Sequence, residues 1–377
     1  MKLHRLIAVA RKESLHVLRD PRSLMLGIGI PLILLFLFGY ALTLDVDRVP
    51  LAVWDQSASH QSRDYISRFS GSRYFSVVQQ AGTYQSIERA IDRREILLAL
   101  VIPPGFDRQL SQKKPVPVQM ILDGSDPTTA TIAAGYAEAV SAAFSREILL
   151  KQLHRNGLVP RIPQLELVPR VWFNTDMVSR NFIFPGLIAV VMMIMAAILT
   201  SLSMAREWET GTMEQLMATP VTAPELIFGK LAPYLAVGIL DLLLCIIIGE
   251  LVFSVPLRGS LWLLAPLAIL FLFCALALGM LISIIAKNQL LASQLAIITT
   301  VLPAFLLSGF IFPIENMPLP IQTVTRIVTA RYFVTILRGI YLKDVGLSVL
   351  WPQALFLAVF GTLVMTMAVR KFRKKIG

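Results

Sequence analysis

The sequence predicts an α-helical polytopic membrane protein with six transmembrane helices and an inserted extracytoplasmic α/β domain. Its 377 residues are 55% hydrophobic and only 16% charged, with a mean hydropathy of +0.67, whereas a soluble domain has about 25% charged residues. The apolar residues form blocks of about 22 residues or more, long enough to cross a hydrocarbon core of about 30 Å. A long segment of alternating apolar and polar residues separates the first block from the others.

Six apolar blocks are the predicted spans, and each contains or adjoins a proline. Prolines are tolerated in membrane helices where neighbouring helices satisfy the freed backbone groups. The first block is not followed by a signal-peptide cleavage site, so we expect it to remain as a span. The spans are Ser23–Leu44, Phe182–Ala205, Leu231–Val255, Leu261–Ala286, Leu290–Phe312 and Ser348–Val369.

Residues 1–22 precede the first span and predict an amphipathic helix that ends at Asp20 and Pro21. Lysine and arginine occupy the faces that the apolar residues leave free. Two compatible fates follow, namely binding along the cytoplasmic membrane surface and packing against a soluble partner. The apolar residues are Leu3, Leu6, Ile7, Ala10, Val17 and Leu18.

The distribution of basic residues sets the predicted orientation. The leader contains six lysines and arginines, and the tail, residues 370–377, contains five. The short loops on the opposite side contain Arg258 in one case and four basic residues in the other. Because cytoplasmic loops are enriched in lysine and arginine, we expect both termini in the cytoplasm. The overall charge of +11 is therefore explained by topology rather than by nucleic-acid binding.

Residues 45–180 predict one extracytoplasmic α/β domain. Five strands are expected within residues 49–56, 72–81, 96–106, 116–126 and 164–173. A helix is expected within 83–95, and a longer one is expected to start with Asp126 as its N-cap and Pro127 in its first turn. Asp123 and Asp126 could form a carboxylate pair, but a turn followed by a helix cap is the favoured interpretation. The apolar face of the longer helix consists of Ala133, Ala137, Val140, Phe144 and Ile148.

No catalytic or metal-binding constellation is predicted. Cys245 and Cys274 both lie inside apolar blocks, and the four histidines are scattered without metal-ligand spacing. The nearest approach to a phosphate-binding loop is the Gly229-Lys230 pair, where Leu231 stands in place of the required serine or threonine. The chain is thus expected to bind no cofactor and to hydrolyse no ATP.

A short acidic segment, residues 205–229, joins the second and third spans. Gly211 is expected to break the chain before a short helix, with capping boxes at Thr212–Gln215 and Thr222–Glu225. Met213, Leu216 and Met217 then form one apolar face, ringed by Glu207, Glu209 and Glu214. We consider two interpretations, a docking surface for a partner protein and a solvated connector between spans.

Two carboxylates, Asp241 and Glu250, lie within the third predicted span. A mid-membrane carboxylate costs roughly 2.5–3.5 kcal/mol on insertion scales, so it is expected to face a partner or a wet cavity. Both are candidates for lining a translocation path. An interhelical hydrogen bond is the structural alternative for Asp241.

The acidic segment resembles the signature of ABC-2-type transport permeases, a pattern of the form R-E-x-x-x-G-T-x-E-x-L-x-x-T-P followed by Gly-Lys. Residues 306–318 and 330–333 also resemble this family, as does the order of leader helix, span, outer domain and five further spans. The positions that match the signature are Arg206, Glu207, Gly211, Thr212, Glu214, Leu216, Thr219, Pro220, Gly229 and Lys230.

The resemblance implies a division of labour. Residues 205–229 would be a coupling helix that contacts a separate ATPase subunit, which binds the ATP and magnesium. Residues 1–22 would be the connecting helix beside it. A second permease subunit, identical or related, would complete the path, and the outer domain could meet a periplasmic adaptor. The subgroup with a large outer domain implies export of drug-like or lipid-like amphiphiles across the bacterial inner membrane.

Two alternatives to an ABC exporter subunit remain at this stage. An ion-coupled secondary transporter would use Asp241 and Glu250, and would usually contain an internal repeat. A membrane-anchored ligand sensor would use the α/β domain to bind its ligand, but would need a larger cytoplasmic domain than this sequence offers.

Overall fold

The computed structural model describes residues 2–41, 47–112, 114–155, 172–174 and 178–372. The chain divides into two compact units. One unit consists of Met1–Leu44 together with Arg170–Gly377, and the other is Asp45–Pro169. Each unit has its own hydrophobic core.

The Asp45–Pro169 unit is built on a four-stranded sheet in the order β2-β1-β3-β4. β1 lies parallel to β2 and β3, and β4 lies antiparallel to β3. All five residues of β3 are buried, as is typical of a strand covered on both faces. The strands are β1 (Val49–Asp55), β2 (Phe75–Gln80), β3 (Leu98–Ile102) and β4 (Gln119–Leu122).

Among the described residues, four helices cover this sheet, and two of them lie where the sequence predicts helices, within 83–95 and from Asp126 onward. Of the predicted α7 face, Ala133, Ala137 and Phe144 are buried in the core of the unit, and Val140 and Ile148 pack against it. The first four predicted strands are confirmed, whereas the fifth, at 164–173, lies almost entirely outside the described residues. The helices are α4 (His60–Ser70), α5 (Tyr84–Asp92), α6 (Phe106–Ser111) and α7 (Pro127–Arg155).

Asp123 and Asp126 form a turn and a helix cap, as favoured from the sequence. The side chain of Asp123 accepts a hydrogen bond from the Ser125 N–H at 2.9 Å. Asp126 accepts from the Thr129 hydroxyl at 2.5 Å and from the Thr128 N–H at 3.0 Å. The Thr129 hydroxyl and these backbone donors lower the pKa of Asp126 below its usual value. A pair sharing one proton would instead have one raised pKa.

The other unit is helical, and its described residues include five helices long and apolar enough to cross a membrane. Helix α8 is central, because most of its apolar stretch is buried by its neighbours. It contacts α11 so closely that a Cβ on Gly279 would lie 2.0 Å from the Thr200 hydroxyl. The five helices are α8 (Ser179–Glu209), α10 (Ala223–Leu251), α11 (Leu261–Ala286), α16 (Leu347–Lys371) and the composite helix Gln289–Leu306.

The composite helix and the first predicted span share an unusual construction. The composite helix runs through α12 (Gln289–Ala296), a π-helical turn (Ile297–Val301) and α13 (Leu302–Leu306). The first span runs through α2 (Pro21–Leu24), a π-helical turn (Met25–Gly29) and α3 (Ile30–Ala41). Its apolar part, Met25–Ala41, is shorter than the five long helices, and its predicted end at Leu44 lies outside the described residues.

Short helices complete this unit. The chain begins with α1 (Leu3–Arg19), which ends before Asp20 as predicted. Helix α9 (Thr212–Ala218) stands between α8 and α10. Between the composite helix and α16, the chain forms a 3-10 turn (Ile314–Asn316), α14 (Leu319–Thr325) and α15 (Thr329–Lys343).

Candidate functional site

The acidic segment folds as the sequence predicts in outline. Gly211 adopts a left-handed conformation with φ of 73°, which glycine reaches without a Cβ penalty, and α9 begins directly after it. At the start of α10, the Glu225 side chain accepts a hydrogen bond from the Thr222 N–H at 2.8 Å. The predicted capping box at Thr212 and Gln215 is wrong, because Gly211 occupies the N-cap position and the Thr212 hydroxyl donates to the Glu207 carboxylate instead.

The predicted docking face of α9 is directed inward. Met213 is fully buried in the core of the membrane unit, and Leu216 and Met217 pack against that core. The prediction that Met213 contributes to an exposed docking surface is therefore wrong. The outward edge of α9 consists of polar and small side chains, among them Glu214 and Gln215, which are exposed.

An ion cluster, formed by the buried residues Glu13, Lys230 and Glu207 and by the exposed Lys12, links three helices beside α9. The Lys230 ammonium lies 3.0 Å from a carboxylate oxygen of Glu13 in α1 and 3.0 Å from one of Glu207 in α8. Lys12 also reaches Glu207, at 2.9 Å. The Tyr234 hydroxyl donates to the second oxygen of Glu13 at 3.1 Å.

The burial of this cluster decides its energetic role. The side chains of Lys230 and Glu13 are only 1% and 4% exposed. Removing one member of a buried ion pair leaves an uncompensated charge, which costs about 3–5 kcal/mol. The cluster therefore fixes the relative positions of α1, α8 and α10 at one geometry.

Arg206 and Glu209, on either side of Glu207, bind two further parts of the chain. The Arg206 guanidinium donates to Asp20, just beyond α1, at 2.9 Å. Glu209 accepts from the Asn288 amide at 2.7 Å and from the Gln289 N–H at 3.1 Å, at the start of α12. The end of α8 is thus attached to the residues that precede α2 and to the start of α12.

Helix α1 lies against α10 at Gly229, the glycine of the Gly-Lys pair in the signature. A Cβ on Gly229 would lie 2.8 Å from the Val9 Cβ, so only glycine permits this approach. The start of α1 is held by the Lys2 N–H, which donates to Glu225 at 2.5 Å, and by Arg5, which donates to the carbonyl of exposed Pro220. The leader therefore packs within its own chain. Its exposed apolar residues, Leu3, Ile7, Leu15 and Leu18, form another face.

Sequence reasoning missed Glu13, Tyr234 and Asp20 as members of this site. A signal for Glu13 was present in the leader, because Val9, Glu13 and Val17 are spaced four residues apart and share one helix face. All three are buried. Trp208, next to Glu207, lies under the Lys287 ammonium, which is 4.8 Å from the ring centroid.

The structure does not bring Asp241 and Glu250 together. Asp241 is fully buried, and neither of its carboxylate oxygens has a hydrogen-bond partner among the described residues. Its face of α10 packs against α8 and α11, since Gly238, one turn earlier, contacts Met195 and Leu272. Glu250 is exposed near the end of the same helix.

Among the described residues, no group of three or more histidine, cysteine or carboxylate side chains could hold a metal ion. The candidate site is a junction of ion pairs and helix contacts beside α9, which joins α1, α8, α10 and the start of α12.

Several long apolar helices, joined near their ends by this junction, are typical of a multi-pass membrane protein. The ABC-2 family transporter protein profile matches residues 21–370. The chain belongs to this family.

Three relatives illustrate the similarity. The chain is 36% identical over 373 residues to "Probable multidrug ABC transporter permease YbhS" of Escherichia coli K12, covering 99% of this chain and 97% of the relative. It is 33% identical to "Probable multidrug ABC transporter permease YbhR" of the same strain, covering 99% of both. It is 26% identical over 331 residues to "Inner membrane transport permease YhhJ", covering 87% and 86%.

Proposed function

We propose that this chain is the membrane-spanning permease subunit of an ABC exporter, driven by a separate ATPase subunit. The observation that carries the proposal is the junction around α9. A short helix with a polar outer edge stands between α8 and α10, and its neighbouring side chains bind α1 and α12. A push on α9 would therefore reach several membrane helices at once. Family membership favours this function over the ion-coupled transporter and the ligand sensor.

The arrangement in the membrane is part of the proposal. The chain would cross the bacterial inner membrane six times, with Met25–Ala41 in the first crossing and both termini in the cytoplasm. The Asp45–Pro169 unit would then be an inserted extracytoplasmic domain, which could contact a periplasmic adaptor. The enrichment of basic residues at the leader and tail supports this orientation.

The proposed mechanism uses two permease copies and two ATPase subunits. ATP binding would close the ATPases against the outward edge of α9, and the junction would convey that movement to the spans. The cargo would be a drug-like or lipid-like amphiphile from the cytoplasm or inner leaflet. The names of the YbhS and YbhR relatives support this cargo class. The segment from the 3-10 turn through α14 would form a lid near the exit.

Binding of the ATPase tests the proposal. Glu214→Arg combined with Gln215→Arg changes the charge of the exposed edge of α9 from negative to positive and leaves its buried face unaltered. We expect this variant to lose at least tenfold in affinity for the ATPase, measured by co-purification and titration in nanodiscs. Glu88→Arg, an exposed substitution on α5, is the matched control and should bind normally. Unchanged binding by the α9 variant would contradict the assignment.

Orientation can be measured independently. Cys245 and Cys274 are buried, so they give little background in thiol labelling. A cysteine at Glu214 should react with a membrane-impermeant maleimide only in inside-out vesicles, and a cysteine at Glu88 only in intact spheroplasts. The reverse pattern would place α9 on the wrong side for an ATPase and would exclude the proposed function.

A further inference from the structure

Two membrane segments of this chain contain π-helical turns, and both turns have the same relation to a proline. The first turn, Met25–Gly29, ends two residues before Pro31, and the second, Ile297–Val301, ends two residues before Pro303. In each case the residue before the proline donates its N–H to the carbonyl five residues back. Ile30 donates to Met25, and Leu302 donates to Ile297.

Proline explains why the helix widens at these positions. It has no N–H, so the carbonyl four residues earlier loses its α-helical partner, and the ring clashes with that carbonyl. In the second turn, the Thr299 and Thr300 hydroxyls donate to the carbonyls of Leu295 and Ala296, at 2.6 and 2.5 Å. These two acceptors lie one turn before the Thr299 carbonyl that Pro303 leaves without its α-helical donor. The π turn itself is the local adjustment by which a membrane helix accommodates the proline.

Proline alone does not produce a π turn in this protein. Four other prolines lie inside long helices that are continuous and α-helical as described. They are Pro185 in α8, Pro233 in α10, Pro266 in α11 and Pro352 in α16. The widening is thus specific to the first span and the composite helix.

Both of these segments are also attached, at the end nearer the junction, to the end of α8. Asp20, which precedes the first span, binds Arg206. Gln289 and its neighbour Asn288, at the start of the composite helix, bind Glu209. Beyond the π turns the two segments meet, since the rings of Phe38 and Phe305 have centroids 5.5 Å apart.

There is space for movement beside the first turn. A cavity of about 300 Å³ is lined by Leu26 of that turn, by Leu199 and by residues of the junction that include Arg206. Packed interiors resist continuous deformation, so an adjoining cavity lowers the cost of a local bend.

We infer that the two π turns are a matched pair of hinges, at which the first span and the composite helix bend when the end of α8 moves. Their ends nearer the junction follow Arg206 and Glu209, and their other ends move together through the Phe38–Phe305 contact. Kinks in helices concentrate at prolines and π turns. The part of the inference that concerns movement of α8 rests on the proposed function.

Hydrogen exchange tests the hinges in this chain alone, in nanodiscs without an ATPase. The amides of residues 26–30 and 298–302 should exchange at least tenfold faster than those at comparable depth in α11. Pro31→Ala and Pro303→Ala restore the missing N–H, and each should slow exchange at its own turn at least threefold. Pro352→Ala, in α16, should leave both turns unchanged. Equal rates in the π turns and in α11 would overturn the inference.

A distance measurement tests movement in the complex with the ATPase. Spin labels at Leu37 and Leu306, each paired with one at Trp262, report on the segments beyond the hinges. Trapping with ATP and vanadate should shift both distances. The Pro31→Ala/Pro303→Ala double variant should at least halve these shifts, and Pro352→Ala should preserve them. The two single variants are measured separately, so that poor folding of one leaves the other informative.

The possible failures are distinguishable. Shifts that persist undiminished in the proline double variant overturn the hinges and leave the proposed function standing. Failure of the unaltered chain to bind any ATPase overturns the proposed function, and the hydrogen-exchange rates then decide the hinges alone.

Discussion

The end of the membrane unit around Lys230 and the middle of α10 differ in how their buried ionisable groups are paired. At that end, Lys230 contacts two carboxylates, and the acids that it binds have further partners. In the middle of α10, Asp241 is equally buried but has no hydrogen-bond partner among the described residues. Burial of an ionisable group costs free energy unless the group is paired. The ion cluster around Lys230 therefore stabilises one arrangement of its helices, whereas the burial of Asp241 lowers the stability of the fold.

The largest expected effect comes from breaking the partnered side of this comparison. Lys230→Met keeps the aliphatic stem but leaves Glu13 and Glu207 without their shared cation. We expect a loss of about 3–5 kcal/mol in the free energy of unfolding, measured by thermal denaturation in detergent. Lys12→Met is the matched control, since Lys12 also binds the Glu207 carboxylate but its side chain is 52% exposed. Its loss should be about 0–1 kcal/mol, and equal losses in both variants would contradict the role of burial.

The close contact between α1 and α10 should give the next effect. Gly229→Ala places a Cβ against Val9 and should cost about 1–3 kcal/mol through overpacking, although alanine is the better helix former. Gly135→Ala in α7 has open space around it and should stabilise its helix slightly. A Gly229→Ala protein that melts at or above the unaltered temperature would show that α1 has room to shift.

For Asp241, the comparison predicts a change of opposite sign in the free energy of unfolding. Asp241→Leu removes a buried carboxyl without donors, and should raise the free energy of unfolding by about 1–3 kcal/mol. Asp241→Asn tests function without changing shape. If efflux by the Asn variant equals that of the unaltered chain, Asp241 has no part in translocation. A destabilised Leu variant would contradict this expectation, because it would show that the carboxyl has a stabilising partner in the folded state.

The smallest effect on stability is expected at the exposed edge of the junction. Glu209→Gln retains one acceptor for Asn288 and Gln289, so the melting temperature should not change measurably. The coupling of transport to ATP hydrolysis should weaken, because the carboxylate charge that strengthens these hydrogen bonds is lost. We expect at least a threefold fall in transport per ATP hydrolysed in proteoliposomes with the ATPase. Unchanged transport with Glu209→Gln, but lost transport with Glu209→Ala, would show that geometry rather than charge matters.

The sequence predicts elements well where one local pattern decides them. Local patterns decide the first four strands of the α/β unit, the start of α7 at Asp126 and Pro127, and the end of α1 before Asp20. The patterns are short apolar runs for the strands, a helix cap for α7 and the proline after Asp20 for α1. The glycine break at Gly211 follows from the conformations that only glycine reaches without strain.

Features that depend on distant residues were not predictable in the same way. The apolar face of α9 was correctly assigned to Met213, but sequence periodicity does not tell whether such a face meets a partner or its own chain. Thr212 is a good capping residue that binds Glu207 instead. Glu13 and Lys230 are 217 residues apart, so no local pattern indicates their pairing.

The shared anchoring of α1 has a consequence for biogenesis. The Glu225 carboxylate accepts hydrogen bonds from the backbone N–H groups of Lys2 and Thr222, and so it caps the beginnings of both α1 and α10. During synthesis the leader emerges first, and its binding residues on α10 follow more than 200 positions later. Helix α1 therefore completes these contacts only after α10 has been synthesised, and until then the face that contains Val9 and Val17 lacks its final packing partner.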